Sequence, residues 1–283
     1  MILVIGANGT IGSAVVPALL DRGESVRVLV RDRAKAQTAF GDRVEIIEGD
    51  LGDGAAVEAA LSGADKVFLN TPSLDGFVDL QRPLIDAAAA AGVSHLVRIS
   101  VIGADAASPI SYARGHAALD AHLASSALPW TILAPSGFFQ NLLSSAETIK
   151  QGAIYGSAGD GAVGFIDTRD IAEVAAAILT SDGHEGQTHV LTGGRAITYA
   201  EIAAAFQAEL GHDVAYVDVP PEAFAQNLRG FGLPDSQIKD ILALFEVFKA
   251  GYAAIVTPEV AELLGREPRT IADFAHDYRA VVS

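Results

Sequence analysis

The chain has 283 residues, half of them apolar, with a formal net charge of −16 and no cysteine. That composition can bury a large core, and it argues against a nucleic-acid backbone or an anionic membrane surface as partner. Without cysteine there is no disulfide, thiol nucleophile or thiolate metal site, which suits a reducing compartment.

The opening Met-Ile-Leu-Val-Ile lacks the basic region and cleavage pattern of a signal peptide. No apolar run reaches about 18 residues without a charge, Gly or Pro, so no membrane span is expected and the expected location is cytoplasmic. From the start, short β-branched runs alternate with Ala/Leu-rich stretches. The predicted strands are ILVI (2–5), SVRVLV (25–30), VEIIE (44–48), KVFLN (66–70), HLVRIS (95–100) and WTILAP (130–135). The predicted helices between them cover 11–22, 33–40, 54–62, 77–91 and 111–126. Several strands are apolar on both faces, as in a parallel sheet covered by helices on both sides. The fold class is therefore α/β, a doubly wound parallel Rossmann sheet with a smaller, mainly helical C-terminal substrate region. Residues 1–135 read as the dinucleotide-binding core. Residues 136–283 read as a substrate-side region packed on it, with some elements returning to the core sheet.

After Pro135 the rhythm breaks into shorter elements. A helix is expected over TRDIAEVAAAILTS, capped by Thr168 or Asp170, and then a strand in QTHVLTG. Further helices are expected near 199–210, 222–229, 235–249 and 268–280, and the Gly-rich stretch 156–164 reads as a loop.

Gly6, Gly9 and Gly12 stand between the first strand and the first helix, in a G-x-x-G-x-x-G spacing. Gly6 suits a tight turn, Gly9 a close backbone approach to a ligand, and Gly12 close packing of helix on sheet. With Asn8, Thr10 and Ile11 between them, they form a cradle that offers amide N–H groups and a helix dipole to a pyrophosphate. No G-K-[ST] follows, so a mononucleotide P-loop is disfavoured. The second strand ends in Arg31-Asp32-Arg33, with Lys35 behind. An arginine there accepts a 2′-phosphate, whereas a carboxylate binds a ribose hydroxyl. Arg31, supported by Lys35, points to NADP rather than NAD. Asp32 stands one residue away as the competing choice, and Arg33 reads as a solvated surface residue.

The segments LVIGANGTIG, VLVRDRAK, EGDL (48–51) and LNTP (69–72) resemble the atypical short-chain dehydrogenase/reductase superfamily, in its NmrA-like branch. So do 116–141, 167–180 and 256–278, so the likeness spans nearly the whole chain. The branch holds reductases of triphenylmethane dyes and of quinones. The resemblance implies that Asp50, with Leu51, meets the adenine, and that Asn70, Thr71 and Pro72 line the path to the nicotinamide ribose. Two positions depart from it: Ala134 stands where arginine is common, and Asp120 where glutamate is usual.

Ordinary members of the superfamily use Ser, Tyr and Lys, with Tyr-x-x-x-Lys on one helix. This chain has Ser100 at a strand end, then Tyr112 and His116 four apart on a helix face. These three are the catalytic candidates. A histidine is mostly neutral at pH 7 and activates a tyrosine less than lysine does, though His116 could bond the ribose or relay a proton. Packing is the competing role for Tyr112, and a bond to its own backbone for Ser100. Phe138, Phe139, Gln140, Asn141 and, less strongly, Tyr155 are the candidate pocket wall for a flat ring, with one of the two adjacent phenylalanines directed inward. His184 and His189 have no metal-ligand spacing, so no metal is expected.

The expected function is an NADPH-dependent reductase that transfers hydride to a flat conjugated acceptor: quinone-like, dye-like, or an enone or imine. The alternative is an NAD(P)-binding redox sensor without turnover. The partner is a small molecule. The Ala-rich helix faces suit a homodimer and equally suit helix–sheet packing.

Overall fold

The structure is a computed structural model describing residues 1–283, and it divides into two units. The first comprises Met1–Ser108, Tyr112–Pro135 and Thr168–Val190. Its chain runs β1 (Ile2–Ile5), α1 (Gly12–Leu20), β2 (Val26–Val30), α2 (Arg33–Phe40), β3 (Val44–Glu48), α3 (Gly54–Leu61) and β4 (Lys66–Leu69). It continues through α4 (Phe77–Ala90), β5 (His95–Ile99), α5 (Ser111–Ser125) and β6 (Trp130–Pro135). After α6 (Ala146–Lys150) and β7 (Ala153–Gly156), α7 (Thr168–Leu179) and β8 (Gln187–Leu191) complete the sheet.

The strands lie in the order β3-β2-β1-β4-β5-β6-β8, and β1 to β6 pair in parallel. Strands β1, β4 and β5 are almost wholly buried, as both faces carry helices. Alternation along β1 sends Leu3 and Ile5 into a core shared with α3, α4 and α5. On the opposite face α1 packs against α7. The order reverses between β1 and β4. That switch point, at the carboxyl ends of the strands, is where open α/β sheets hold ligands.

The six predicted strands and five predicted helices of residues 1–135 are present, with ends within two residues. Helix α7 begins at Thr168, and Thr168 and Asp170 are buried in its first turn.

The second unit comprises Pro109–Ser111, Ser136–Asp167 and Leu191–Ser283. Beyond α6 and β7 it holds α8 (Tyr199–Leu210), β9 (Ala215–Asp218), α9 (Pro221–Gly230) and α10 (Asp235–Lys249). It ends with α11 (Glu259–Leu264), α12 (Ile271–Asp277) and α13 (Arg279–Val282). The helix expected over 268–280 is thus two: Thr270 caps α12 in a reciprocal box with Asp273, and Tyr278 separates α12 from α13. Strands β7 and β9 form a two-stranded parallel sheet. The core is aromatic, built on Phe139, Phe165, Phe206, Phe248 and Phe274.

Candidate active site

The glycine loop sits at the switch point. Gly6 has φ +83°, and a Cβ on it would lie 2.1 Å from the Asn70 carbonyl oxygen. Only glycine lets β1 turn this tightly beside the end of β4. A Cβ on Gly12 would lie 2.2 Å from the Gly6 carbonyl oxygen, so the helix start depends on its absence. Gly9 is less constrained, with a Cβ position 3.2 Å from the same oxygen. Helix α1 has no side-chain cap, and the amides of Thr10, Ile11 and Gly12 make no hydrogen bond within the chain. Three donors are thus left without a partner at the positive end of a helix dipole. Asn8 donates through Nδ2 to the Asp32 carbonyl (3.2 Å), while its Oδ1 is buried without a partner.

The end of β2 separates the three competing charges. Asp32 caps α2: its Oδ1 accepts the Lys35 amide at 2.9 Å, which commits the carboxylate to the helix. Arg33 is a surface residue, its side chain 51% exposed, and it donates to the Ile46 carbonyl at 2.7 Å and pairs with Glu48 at 3.3 Å. Arg31 stays 82% exposed in its side chain, with only a loose contact to Asp50 at 3.8 Å. It borders an open depression of about 670 Å³ lined also by Asp32, Arg33, Ala34, Gln37 and Glu48. Lys35 is exposed on the same turn. Asp50 accepts the Gly52 amide at 2.9 Å, and Leu51 packs on the core.

Beneath the β4–α4 loop lies a polar network that the sequence reading touched at four points, Thr71, Ser100, His116 and Asp120. Arg98 on β5 has no exposed surface. Its Nε donates to Gln81 Oε1 (2.9 Å), its Nη1 to Asp120 Oδ1, and its Nη2 lies 2.9 Å from His116 Nδ1. Burial draws the guanidinium pKa down to about 10, so it stays charged at neutral pH. Asp120 also accepts the Ser100 hydroxyl at 2.5 Å. Burial raises the Asp120 pKa, against the pull of Arg98 and Ser100.

His116 is 3% exposed, its ring centroid 5.0 Å from that of Phe77 and tilted by 46°. Burial, reinforced by Arg98, pushes its pKa down to about 3. The ring is neutral. Because a guanidinium has no acceptor, Nδ1 must carry the lone pair and Nε2 the hydrogen. Nε2 therefore donates to Ser73 Oγ at 2.8 Å. Gln81 completes the set by donating from Nε2 to Thr71 Oγ1 at 2.6 Å.

These contacts engage two of the catalytic candidates. Ser100 is buried and spends its proton on Asp120. Both ring nitrogens of His116 are engaged, leaving neither for a ribose or a proton relay. Tyr112 is half-buried, its ring packed at the edge of the sheet–helix core. Sequence reasoning missed Arg98, Gln81 and Ser73. The signal for Arg98 was a lone arginine inside the apolar run HLVRIS, which a buried strand tolerates only with partners.

Within the second unit, Phe139 is core rather than pocket wall, its ring 5.6 Å from Phe274 and 6.1 Å from Phe165. Gln140 is buried and donates to Asp167 Oδ1 at 2.8 Å, so its amide is committed internally. Phe138 is half-buried, Asn141 exposed, and Tyr155 on β7 43% exposed.

The chain matches the model of the NmrA-like family over residues 1–275. It is 40% identical over 281 residues to NAD(P)H azoreductase of Xenophilus azovorans, covering 99% of this chain and 98% of that one. It belongs to the NmrA-like family. Two solved structures share this NmrA-like fold over almost all of both chains. The NADPH-dependent quinone oxidoreductase of Escherichia coli, complexed with NADPH, has TM-score 0.89 and 29% identity, covering 99% of this chain and 100% of that one. Triphenylmethane reductase of Citrobacter sp., complexed with NADP(H), has TM-score 0.87 and 25% identity, covering 98% and 99%. In this NmrA-like chain the lysine position of ordinary short-chain dehydrogenases holds a neutral, fully bonded histidine.

Proposed function

We propose that this chain is a reductase that transfers hydride from NADPH to a flat, conjugated small molecule: a quinone, a dye, or an enone or imine. The observation that carries this is the set of unpaired amides of Thr10, Ile11 and Gly12 together with an exposed Arg31 that meets only Asp50, loosely, with Asp32 capping α2. The buried, unpartnered Asn8 Oδ1 fits the same ligand. The reductases of quinones, azo compounds and triphenylmethane dyes named above support the acceptor class.

The loop amides hold the pyrophosphate and Arg31 the 2′-phosphate. Asp50 and Leu51 border the adenine, and Asn70, Thr71 and Pro72 the nicotinamide ribose. Bound there, the dinucleotide supplies a hydride, and the protein supplies orientation. An arginine–phosphate bond contributes roughly 1.5–3 kcal/mol, which corresponds to a preference of about ten- to a hundredfold over NADH. Phe138, Asn141 and Tyr155, which the second unit leaves accessible, are the proposed contacts for the ring of the acceptor. The test is NADPH oxidation followed across benzoquinones, azo dyes and cationic triphenylmethane dyes. Turnover of at least one class is expected, and tight NADPH binding with no turnover of any would contradict the proposal.

A further inference from the structure

The network under the β4–α4 loop ends in two hydroxyls whose proton direction is fixed. His116 Nε2–H donates to Ser73 Oγ, and Gln81 Nε2–H donates to Thr71 Oγ1. Each hydroxyl accepts one hydrogen bond from below, so its own O–H cannot point back at that partner and is left to donate elsewhere. The polarity of both bonds traces to Arg98: its Nη2 fixes the His116 tautomer, and its Nε takes up the Gln81 carbonyl oxygen. Ser73 differs from Thr71 in being exposed, although its partner His116 is buried. It lies four residues past β4, in the loop whose Asn70 carbonyl packs against Gly6 at the switch point.

We propose that Ser73 is the hydrogen-bond donor to the acceptor atom on which negative charge develops, the role that Ser100 and Tyr112 hold in the Ser-Tyr-Lys arrangement. Arg98 and His116 are the residues that position its proton. The inference rests on the reductase assignment. When a quinone takes a hydride, two electrons and one hydrogen are added and the product is a hydroquinone anion. Its oxygen is stabilised by the Ser73 O–H and then takes a proton from water, while the dinucleotide leaves oxidised. A cationic triphenylmethane dye behaves differently: its central carbon accepts the hydride and positive charge is neutralised, so no anion forms and no donor is needed.

That contrast supplies the test. Ser73→Ala and Ser73→Thr are compared with the wild type on a benzoquinone and on a cationic triphenylmethane dye, with NADPH affinity measured by fluorescence in each. Ser73→Ala is expected to lose about ten- to a hundredfold in kcat/KM on the quinone. It should stay within about twofold on the dye and in NADPH affinity, and Ser73→Thr should recover most of the quinone rate. No loss on the quinone, or equal loss on both acceptors, would overturn the donor role while leaving the reductase assignment standing. Failure of the wild type to reduce the quinone would remove the donor role, and failure on the dye and on azo dyes as well would remove the reductase assignment. A second readout is independent of turnover. Nitrogen-15 spectra of the cofactor-free protein should show His116 neutral and protonated at Nε2, and a ring protonated at Nδ1 would also overturn the inference.

Discussion

A guanidinium with no exposed surface is stable only when each of its faces meets an acceptor, and Arg98 meets three: Gln81, Asp120 and His116. Arg98→Met removes the charge from a side chain of similar length, leaving the half-buried Asp120 carboxylate against Ser100 alone and His116 free to change tautomer. The expected cost is about 3–5 kcal/mol, read as a shift of the urea midpoint. Asp120→Asn in the same background is expected to recover part of that loss, because it removes the stranded charge. An unchanged midpoint in Arg98→Met would show that the network is not structural. From sequence alone, His116 could be placed on the helix but its partners could not. Its neutrality and tautomer are set by Arg98, on another element 18 residues away.

The first six strands and the helices between them were legible because each is marked twice, by apolar periodicity and by a turn or cap at its end. Asp53 accepts the Ala55 and Ala56 amides to start α3, as a helix N-cap does. Spacing identified the glycine loop but gave its three glycines comparable weight. The structure ranks them. Gly12→Ala drives a Cβ to within 2.2 Å of backbone, whereas the Gly9 position meets its neighbour at 3.2 Å. Overpacking of this kind costs about 1–3 kcal/mol, so Gly12→Ala should lower the thermal midpoint and weaken NADPH binding, with Gly9→Ala well behind it on stability. Equal effects of the two on stability would contradict this ranking. The second unit was harder to read because aromatic packing, rather than periodicity, defines it. Whether Phe138 or Phe139 turned inward depended on Phe165 and Phe274, which come from distant segments.

Across the whole molecule, the net charge is −16 and no helix is long and apolar enough to cross a membrane. Stability as a function of pH is a property of the whole fold with identifiable sources. Burial lowers the pKa of both His95 and His116 from 6.5, the latter to about 3. The unfolded chain therefore binds protons below pH 6.5 that the folded chain refuses. This contribution is complete above about pH 7 and is lost as pH falls towards the folded values. Asp120, whose pKa is raised, acts in the opposite direction at lower pH. Between pH 7 and 5.5 the folding free energy should fall by about 1 kcal/mol on account of His116. His116→Gln should show a shallower decline over the same interval, and an identical decline would show that the ring is not held neutral.

The central claim, that an NADPH-specific reductase is built on the loop from Gly6 to Gly12 and on Arg31, is tested most directly by one ratio. That ratio is kcat/KM with NADPH over kcat/KM with NADH, measured on a benzoquinone for the wild type and for Arg31→Ala. The wild type should favour NADPH by about ten- to a hundredfold, and the variant should bring the ratio close to one chiefly through loss of NADPH efficiency. A ratio unchanged by the substitution, or no oxidation of either cofactor, would contradict the account.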